Sequence, residues 1–355
     1  MPRKRIRRKW LQQRGPDPSD SKKQLLPELI ASVSMLRSFI EPILEEAFPP
    51  GRRGRPPGYL LFGIFLALLL RTQSKSLRGL CRLLARSEEL LRLTGLHKVP
   101  PHQTFSNYVN RLGEDRFRRI SEVIVQHGLK EYWPEFGKVL SIDGTVQKAK
   151  AKNDQGLRST SDPDARWGYK EHVNTGEPKF EFGYRPTIVS DAQHETPITC
   201  ITRPANASEC KLYPSLLKKA HELGLPFEVV VTDGLYDSKL NIAITSQVYK
   251  AAPIIPINTR SSKSAKLTGT RRGDVMLPIR RNSDEWKRYQ RMRVASEHVN
   301  RALKEDLGLS TLRVRTLPRV ACFVWLCIIM KQLCSLSAAR LGREDLARYV
   351  MVWCH

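Results

Sequence analysis

FEVVVTDGLYDS, residues 227–238, decides how the chain is read. Phe227 and Val229–Val231 form a short apolar, β-branched run, the pattern of a buried strand. The run ends in Thr232-Asp233-Gly234, where a glycine lets the chain turn sharply. A carboxylate therefore sits at the C-terminal edge of a central strand, the edge at which open α/β sheets gather ligands. By itself an Asp-Gly after a strand is most often only a turn, so its surroundings have to decide.

Upstream, Val139-Leu140-Ser141-Ile142-Asp143-Gly144-Thr145 is a second strand that also ends in Asp-Gly. Phe180–Val189 and Pro197–Thr202 alternate like strands, and Ala207–Leu223 has helical spacing through Leu212, Leu216, Leu217 and Ala220. Downstream come a helix near Lys239–Tyr249 and a strand at Ala252–Ile257. The order of three strands, helix, strand, helix, strand predicts an α/β fold with a mixed sheet flanked by helices. Residues 148–179 are polar, with DPDARWGYK at 162–170, and read as a loop or ragged hairpin. Residues 258–284 read as a short basic insertion. One long helix is expected from Glu285 to Leu307, then LRVRT as a strand or turn and two apolar helices.

The N-terminal part reads differently. Residues 1–22 are a basic arm opening MPRKRIRRKW, suited to phosphate contacts without sequence readout. From 23 to 130 the period is helical: Leu25, Leu29, Ile30, Val33 and Leu36 recur at 3–4 spacing. A Gly/Pro-rich linker, Pro49–Gly58, precedes a buried helix at Tyr59–Leu70, and Pro100-Pro101-His102 marks another helix start. Such short helices, bearing Arg111, Arg116, Arg118 and Arg119, suit a helix-turn-helix reader of DNA. An ordinary helical bundle is the equal alternative.

Composition narrows the function. The 355 residues carry 60 Lys+Arg against 35 Asp+Glu, a formal charge of +25, which implies a polyanionic partner such as nucleic acid. The apolar runs Tyr59–Leu70 and Val320–Met330 are shorter than the roughly 18–20 residues of a spanning helix, so no membrane role is expected. Seven cysteines without a CxxC read as reduced core residues, with zinc unexpected.

Paired carboxylates at Asp143 and Asp233 cannot both ionise cheaply unless a cation lies between them. An acid-only oxygen set favours Mg²⁺ or Mn²⁺, and a third carboxylate completes a two-metal site for displacement at phosphorus. Glu297 is the candidate. On a regular helix Arg293, Glu297 and Lys304 fall within about 40° of one another, opposite the apolar stripe of Met292, Ala295, Val299, Ala302 and Leu303. The competing reading is a solvated Glu297 paired with Arg293 or Arg301 at i±4.

These pieces together resemble the DDE transposases of bacterial insertion sequences, with their RNase H-like catalytic core. The carriers are LSIDGT at 140–145, DPDARWGYK at 162–170, TRPANASE at 202–209, VVVTDGLYDS at 229–238, PIIPINTR at 253–260, and R-x3-E-x6-K at 293–304. GRPPGYLLFGIFLALLL and PPHQTFSNYVNRLG resemble that group's N-terminal helical domain.

The resemblance implies an RNase H-like mixed sheet over residues 131–335, a helical DNA-binding domain over 23–130, and a helical tail over 336–355. It makes Asp143, Asp233 and Glu297 a catalytic, metal-binding triad holding two Mg²⁺ ions, with Mn²⁺ as a substitute. Arg293 and Lys304 become DNA contacts, joined by Arg301, Tyr289 and Lys170. The tyrosine usual three residues before the arginine is replaced here by Gln290, with Tyr289 one earlier. The implied activity is metal-dependent cleavage and strand transfer at terminal inverted repeats, by a homodimer on double-stranded DNA. The implied setting is the cytoplasm and nucleoid of a prokaryote. An RNase H-like nuclease, or a catalytically silent DNA-binding derivative, is the alternative. Trp286 is read as packing or as a stacking side chain for a flipped base; His172, His194 and His298 as structural residues or phosphate contacts.

Overall fold

A computed structural model describes residues 25–49, 58–74, 76–151, 161–171, 178–258, 277–311 and 313–353. The basic arm, most of the Pro49–Gly58 linker, His172 and most of the 258–284 insertion lie outside the described residues.

The N-terminal part is helical: α1 (Leu25–Met35), α2 (Arg37–Ala47), α3 (Leu61–Leu69), α4 (Leu77–Ala85), α5 (Glu88–Thr94) and α6 (His102–Ile124). Local chemistry sets several of the ends. Ser76 and Ser87 accept from the third backbone N–H of α4 and α5, and Gly95 closes α5 at φ +69°. Pro101 leads directly into α6, as its position predicts; α6 then runs well past Leu112, across a break at Gly113 (φ +66°).

The rest builds a sheet of seven strands among the described residues: β1 (Val139–Gly144), β2 (Gln147–Lys148), β3 (Arg166–Glu171), β4 (Pro178–Asp191), β5 (Thr196–Pro204), β6 (Val229–Val231) and β7 (Ala252–Ile254). β5, β4 and β1 are antiparallel neighbours, while β1, β6 and β7 run parallel, giving the order β5-β4-β1-β6-β7. The expected α/β architecture, a mixed sheet flanked by helices and preceded by a helical region, is therefore found. Helices α7 (Glu209–Glu222), α8 (Lys239–Ala243), α9 (Asp284–Arg291), α10 (Val294–Arg301) and α11 (Leu317–Arg340) complete it.

Three elements differ from expectation. The 162–170 motif, read as a loop or ragged hairpin, makes strand β3 against β4, Arg166 opposite Gly183 through Glu171 opposite Pro178. The helix expected over Glu285–Leu307 is broken at Met292-Arg293 and ends in a π turn, Ala302–Asp306. The two apolar helices expected at the end are one helix, α11, buried continuously from Val320 to Ala338. Its apolar window has the length and composition to cross a membrane, yet lies wholly inside the fold.

That burial explains the packing. One hydrophobic core runs from Leu29 on α1 through Phe105 and Ile120 on α6 to Leu140 and Val230 on the sheet, with Trp325 and Ile329 of α11 at its centre. Polar residues of α11 tie it on both sides. Gln332 donates to the Pro197 carbonyl and accepts from Ser121 Oγ, and Ser337 bonds Ser32 on α1. On the other sheet face a smaller core joins Val139, Val229, Val231 and Ile254 to Trp286 of α9 and Ala295 of α10. Six cysteines among the described residues are free; Cys200, Cys322, Cys327 and Cys334 are buried, whereas Cys81 and Cys210 are only partly so.

Candidate active site

Strand periodicity places the two aspartates. Leu140, Ile142 and Val230 face the main core, whereas Val139, Val229 and Val231 face α9 and α10. Successive side chains alternate, so Asp143 and Asp233 fall on the α10 side. In the parallel β1–β6 ladder Ser141 lies opposite Val231, and each aspartate stands two residues past that pair. The ladder therefore delivers both carboxylates to one sheet edge, as the sequence predicts.

Each is held in place. Asp233 accepts from the Leu235 N–H (2.8 Å), capping the turn Gly234–Tyr236. Asn300 of α10 donates its side-chain amide to Asp143 Oδ2 at 2.8 Å, and its own Oδ1 is buried with no partner.

The electrostatics are those of crowded acids. Burial, then the charges of Glu209 and Asp233, push the Asp143 carboxyl up to about 7; Arg293 and the Gly144 N–H pull the other way. Asp233 is also raised by burial, against the Leu235 N–H and Arg293. Two neighbouring carboxylates and an orphaned amide oxygen form an all-oxygen donor set, the type that suits a hard divalent cation rather than zinc. Among the described residues no three His, Cys, Asp or Glu side chains are gathered as a metal cluster.

Glu297 lies on the same helix as Asn300, one turn earlier, but half-exposed and bonded to Arg293 at 2.6 Å. The structure thus brings Asp143 and Asp233 together and leaves Glu297 on its i,i+4 cation. Arg293 serves both, pairing with Glu297 and lowering both aspartates' pKa values. Arg301 is exposed and pairs with Glu305 at 3.0 Å. The π turn takes Lys304, half-buried, out of regular helical register with Arg293 and Glu297. Tyr289 packs beside the smaller core, with Arg288 over its ring at 4.9 Å. The Lys170 side chain lies outside those described.

Two site residues were not singled out from sequence. Asn300 carries no signal of its own, since an amide on a helix gives no periodicity. Glu209, at the end of TRPANASE, reads as a first-turn helix acid. Here it is buried against the site: Oε1 accepts from Arg185 (2.9 Å) and Oε2 from the Tyr236 hydroxyl (2.9 Å). Its carboxylate lies so close to Gly144 that any Cβ there would meet Oε2 at 2.2 Å. A side chain at this position would have to push the Glu209 carboxylate away from its bonds to Arg185 and Tyr236.

The other candidates are structural. His194 bonds Asp191 through Nδ1 (2.7 Å) and stacks on Trp133, while His298 pairs with Glu195 at 3.0 Å. Trp286 is buried in the smaller core as packing. In DPDARWGYK, Asp162 accepts from the Tyr184 hydroxyl and the Thr316 N–H, and Asp164 from the Leu317 N–H, so both cap α11.

Comparison with known proteins adds the following. The family model described as "Transposase DDE domain" matches residues 134–331, more than half of the chain. No curated protein matches it. Among solved structures, the cryo-EM structure of a piggyBac transposase synaptic complex with hairpin DNA is similar over 94% of this chain and 79% of that chain, with TM-score 0.47 and 11% identity. The matched segment holds both strand-end aspartates and the α10 residues that surround them. The chain belongs to the family of transposases with a DDE domain.

Proposed function

We propose that this protein is the transposase of a bacterial insertion sequence, cutting and joining DNA at the element's terminal inverted repeats through Asp143, Asp233 and Glu297. The observation that carries the proposal is the pairing of Asp143 and Asp233 at one sheet edge, on the face where α10 presents Asn300 and Arg293 precedes its first turn. Two Mg²⁺ ions, or Mn²⁺ in their place, suit this donor set; bound there they would supply Lewis acidity, activating water and stabilising charge at the scissile phosphate. Asn300 fixes the Asp143 carboxylate. Arg293 balances the aspartates in the arrangement described, with Glu297 tied to it. In the reactive arrangement Glu297 turns from Arg293 toward the aspartates, and the freed guanidinium meets the DNA backbone.

Cleavage at the element's ends frees 3′-OH groups, and the same carboxylates serve their attack on target phosphodiesters. Holding two ends together calls for a homodimer on double-stranded DNA, acting at the nucleoid of a prokaryotic cytoplasm.

The test is cleavage of a labelled duplex carrying the gene's flanking repeats, in Mg²⁺, Mn²⁺ or EDTA. Metal-dependent nicking at the repeat boundary is expected. Asp143→Ala, Asp233→Ala and Glu297→Ala should each abolish it while leaving DNA binding largely intact. Full cleavage by the Glu297 variant would show that the third ligand lies elsewhere. Binding without cleavage in either metal would mark a silent DNA-binding protein.

A further inference from the structure

Away from the aspartates, a cavity of about 260 Å³ opens where the helical part meets the segment leading into α11. Its floor is Arg71, which is only 3% exposed. Buried arginines are ordinarily paired with a carboxylate or fully hydrogen-bonded. Arg71 makes no side-chain hydrogen bond or ion pair among the described residues, and its Nε is buried without a partner. Its guanidinium instead lies over the Phe323 ring at 4.8 Å. The aromatic face supports the cation, and the residue lines the cavity.

The walls repeat the theme. Arg78 and Arg313 line the cavity with exposed side chains, as does Arg319, whose donors go to the neutral Asn110 Oδ1 (2.9 Å) and Ser106 Oγ (3.0 Å). An adjoining cavity shares Arg313 and Arg319 and adds Lys150 and Arg315, tied by an Arg315 Nε bond to the Lys150 carbonyl (3.1 Å). Neither cavity has a carboxylate among its lining residues. Six cations converge with no carboxylate among the described lining residues, around one whose burial without a partner has a cost.

We propose that this cavity is a phosphate-binding site that holds the backbone of a DNA strand outside the catalytic site. Arg71 is its buried anchor, and the exposed Arg78, Arg313 and Arg319 are its walls. Planar guanidinium forks match phosphodiester oxygens, and a partner anion completes the hydrogen bonds that Arg71 lacks. That the phosphate belongs to DNA rests on the transposase reading; that the cavity takes an anion does not.

The test uses the full chain with duplex DNA of unrelated sequence, comparing wild type, Arg71→Met and Arg313→Ala. Arg71→Met should keep or raise the thermal midpoint while weakening binding about three- to tenfold and reducing the salt slope by about one. Arg313→Ala should weaken binding in the same direction with no change in midpoint. Unchanged affinity and slope in both variants would overturn the proposal. If Arg71→Met lowers the midpoint, Arg71 is a packing residue and Arg313→Ala decides alone, unchanged binding again overturning it. A second arm replaces DNA with inorganic phosphate at constant ionic strength. Arg71-dependent stabilisation there, with DNA affinity unchanged in both variants, would assign the cavity to free phosphate and overturn its DNA role. Cleavage retained by Asp233→Ala would sink the catalytic assignment but leave these binding results standing, because unrelated duplex is bound here without being cut.

Discussion

The side-chain amide of Asn300 donates to Asp143 Oδ2 across 2.8 Å, joining residues 157 apart in sequence. Among the described residues it is the one side-chain hydrogen bond from α10 to that carboxylate, and it couples the orientation of Glu297's helix to strand β1. Asn300 is therefore a positioning residue. Its one side-chain oxygen, Oδ1, is buried and unpartnered.

Asn300→Ala should lower cleavage by about tenfold or more through poorer Asp143 orientation, with duplex affinity unchanged. Single-turnover cleavage against Mg²⁺ concentration checks this. A higher Mg²⁺ requirement, restored by Asn300→Gln but not by Ala, is expected; a fall in DNA affinity of equal size would mean that Asn300 contacts DNA instead.

Asp143 makes stability depend on pH. Its folded-state pKa of about 7 lies above the ordinary 3.8, so its contribution is fully present below about pH 4 and lost as pH rises through 7. Metal-free Asp143→Asn should therefore gain stability over wild type across that window, by up to about 4 kcal/mol. Urea unfolding at pH 5 and pH 8 measures it. Added Mg²⁺ should narrow the gap at pH 8 by stabilising only the wild type.

Arg293→Ala removes the cation that, among the described residues, lowers both aspartates, and it releases Glu297. Cleavage should need more Mg²⁺ at low pH, because the acids hold their protons more tightly. DNA affinity should fall with a flatter salt dependence. Cleavage titrations at pH 6.5 and 8 separate these effects, the defect shrinking at the higher pH.

Lys331 sits inside α11, donating to the Ala347 carbonyl (2.7 Å) and Ser335 Oγ (3.2 Å). Burial depresses its pKa from 10.5 to about 8, so the penalty of charge is complete below pH 8 and relieved as pH rises toward 10.5. Wild type should gain about 3 kcal/mol relative to Lys331→Met across that range. Parallel guanidinium unfolding at pH 7.5 and 10.5 tests it; a constant difference would mean that Lys331 keeps its ordinary pKa and stays charged in the fold.

Asp143 and Asp233 were legible because a strand's period and an Asp-Gly turn are both local signals. Asn300 and Glu209 were not, because their roles exist only through partners distant in sequence, Asp143 for one and Arg185 and Gly144 for the other. The break at Met292-Arg293 and the π turn at 302–306 left no mark, since their apolar spacing still fits a regular helix. Strand β3 hid behind its polarity: it needs only one hydrogen-bonding edge of β4. Two apolar helices were expected after LRVRT because Lys331, Gln332, Ser335 and Ser337 follow the apolar run Val320–Met330, yet all four are buried and hydrogen-bonded within one helix.

The place of α11 also bears on how the protein is made. The ribosome delivers Leu317–Arg340 after every strand of the sheet, yet these residues fill the space between α1, α6 and β5. Until they emerge, the nascent chain has an open hydrophobic cleft in place of a finished centre. A message cut short before codon 340 would therefore yield chaperone clients and protease substrates. It would not yield a shortened, folded competitor of the full-length protein, because the core would lack its central helix.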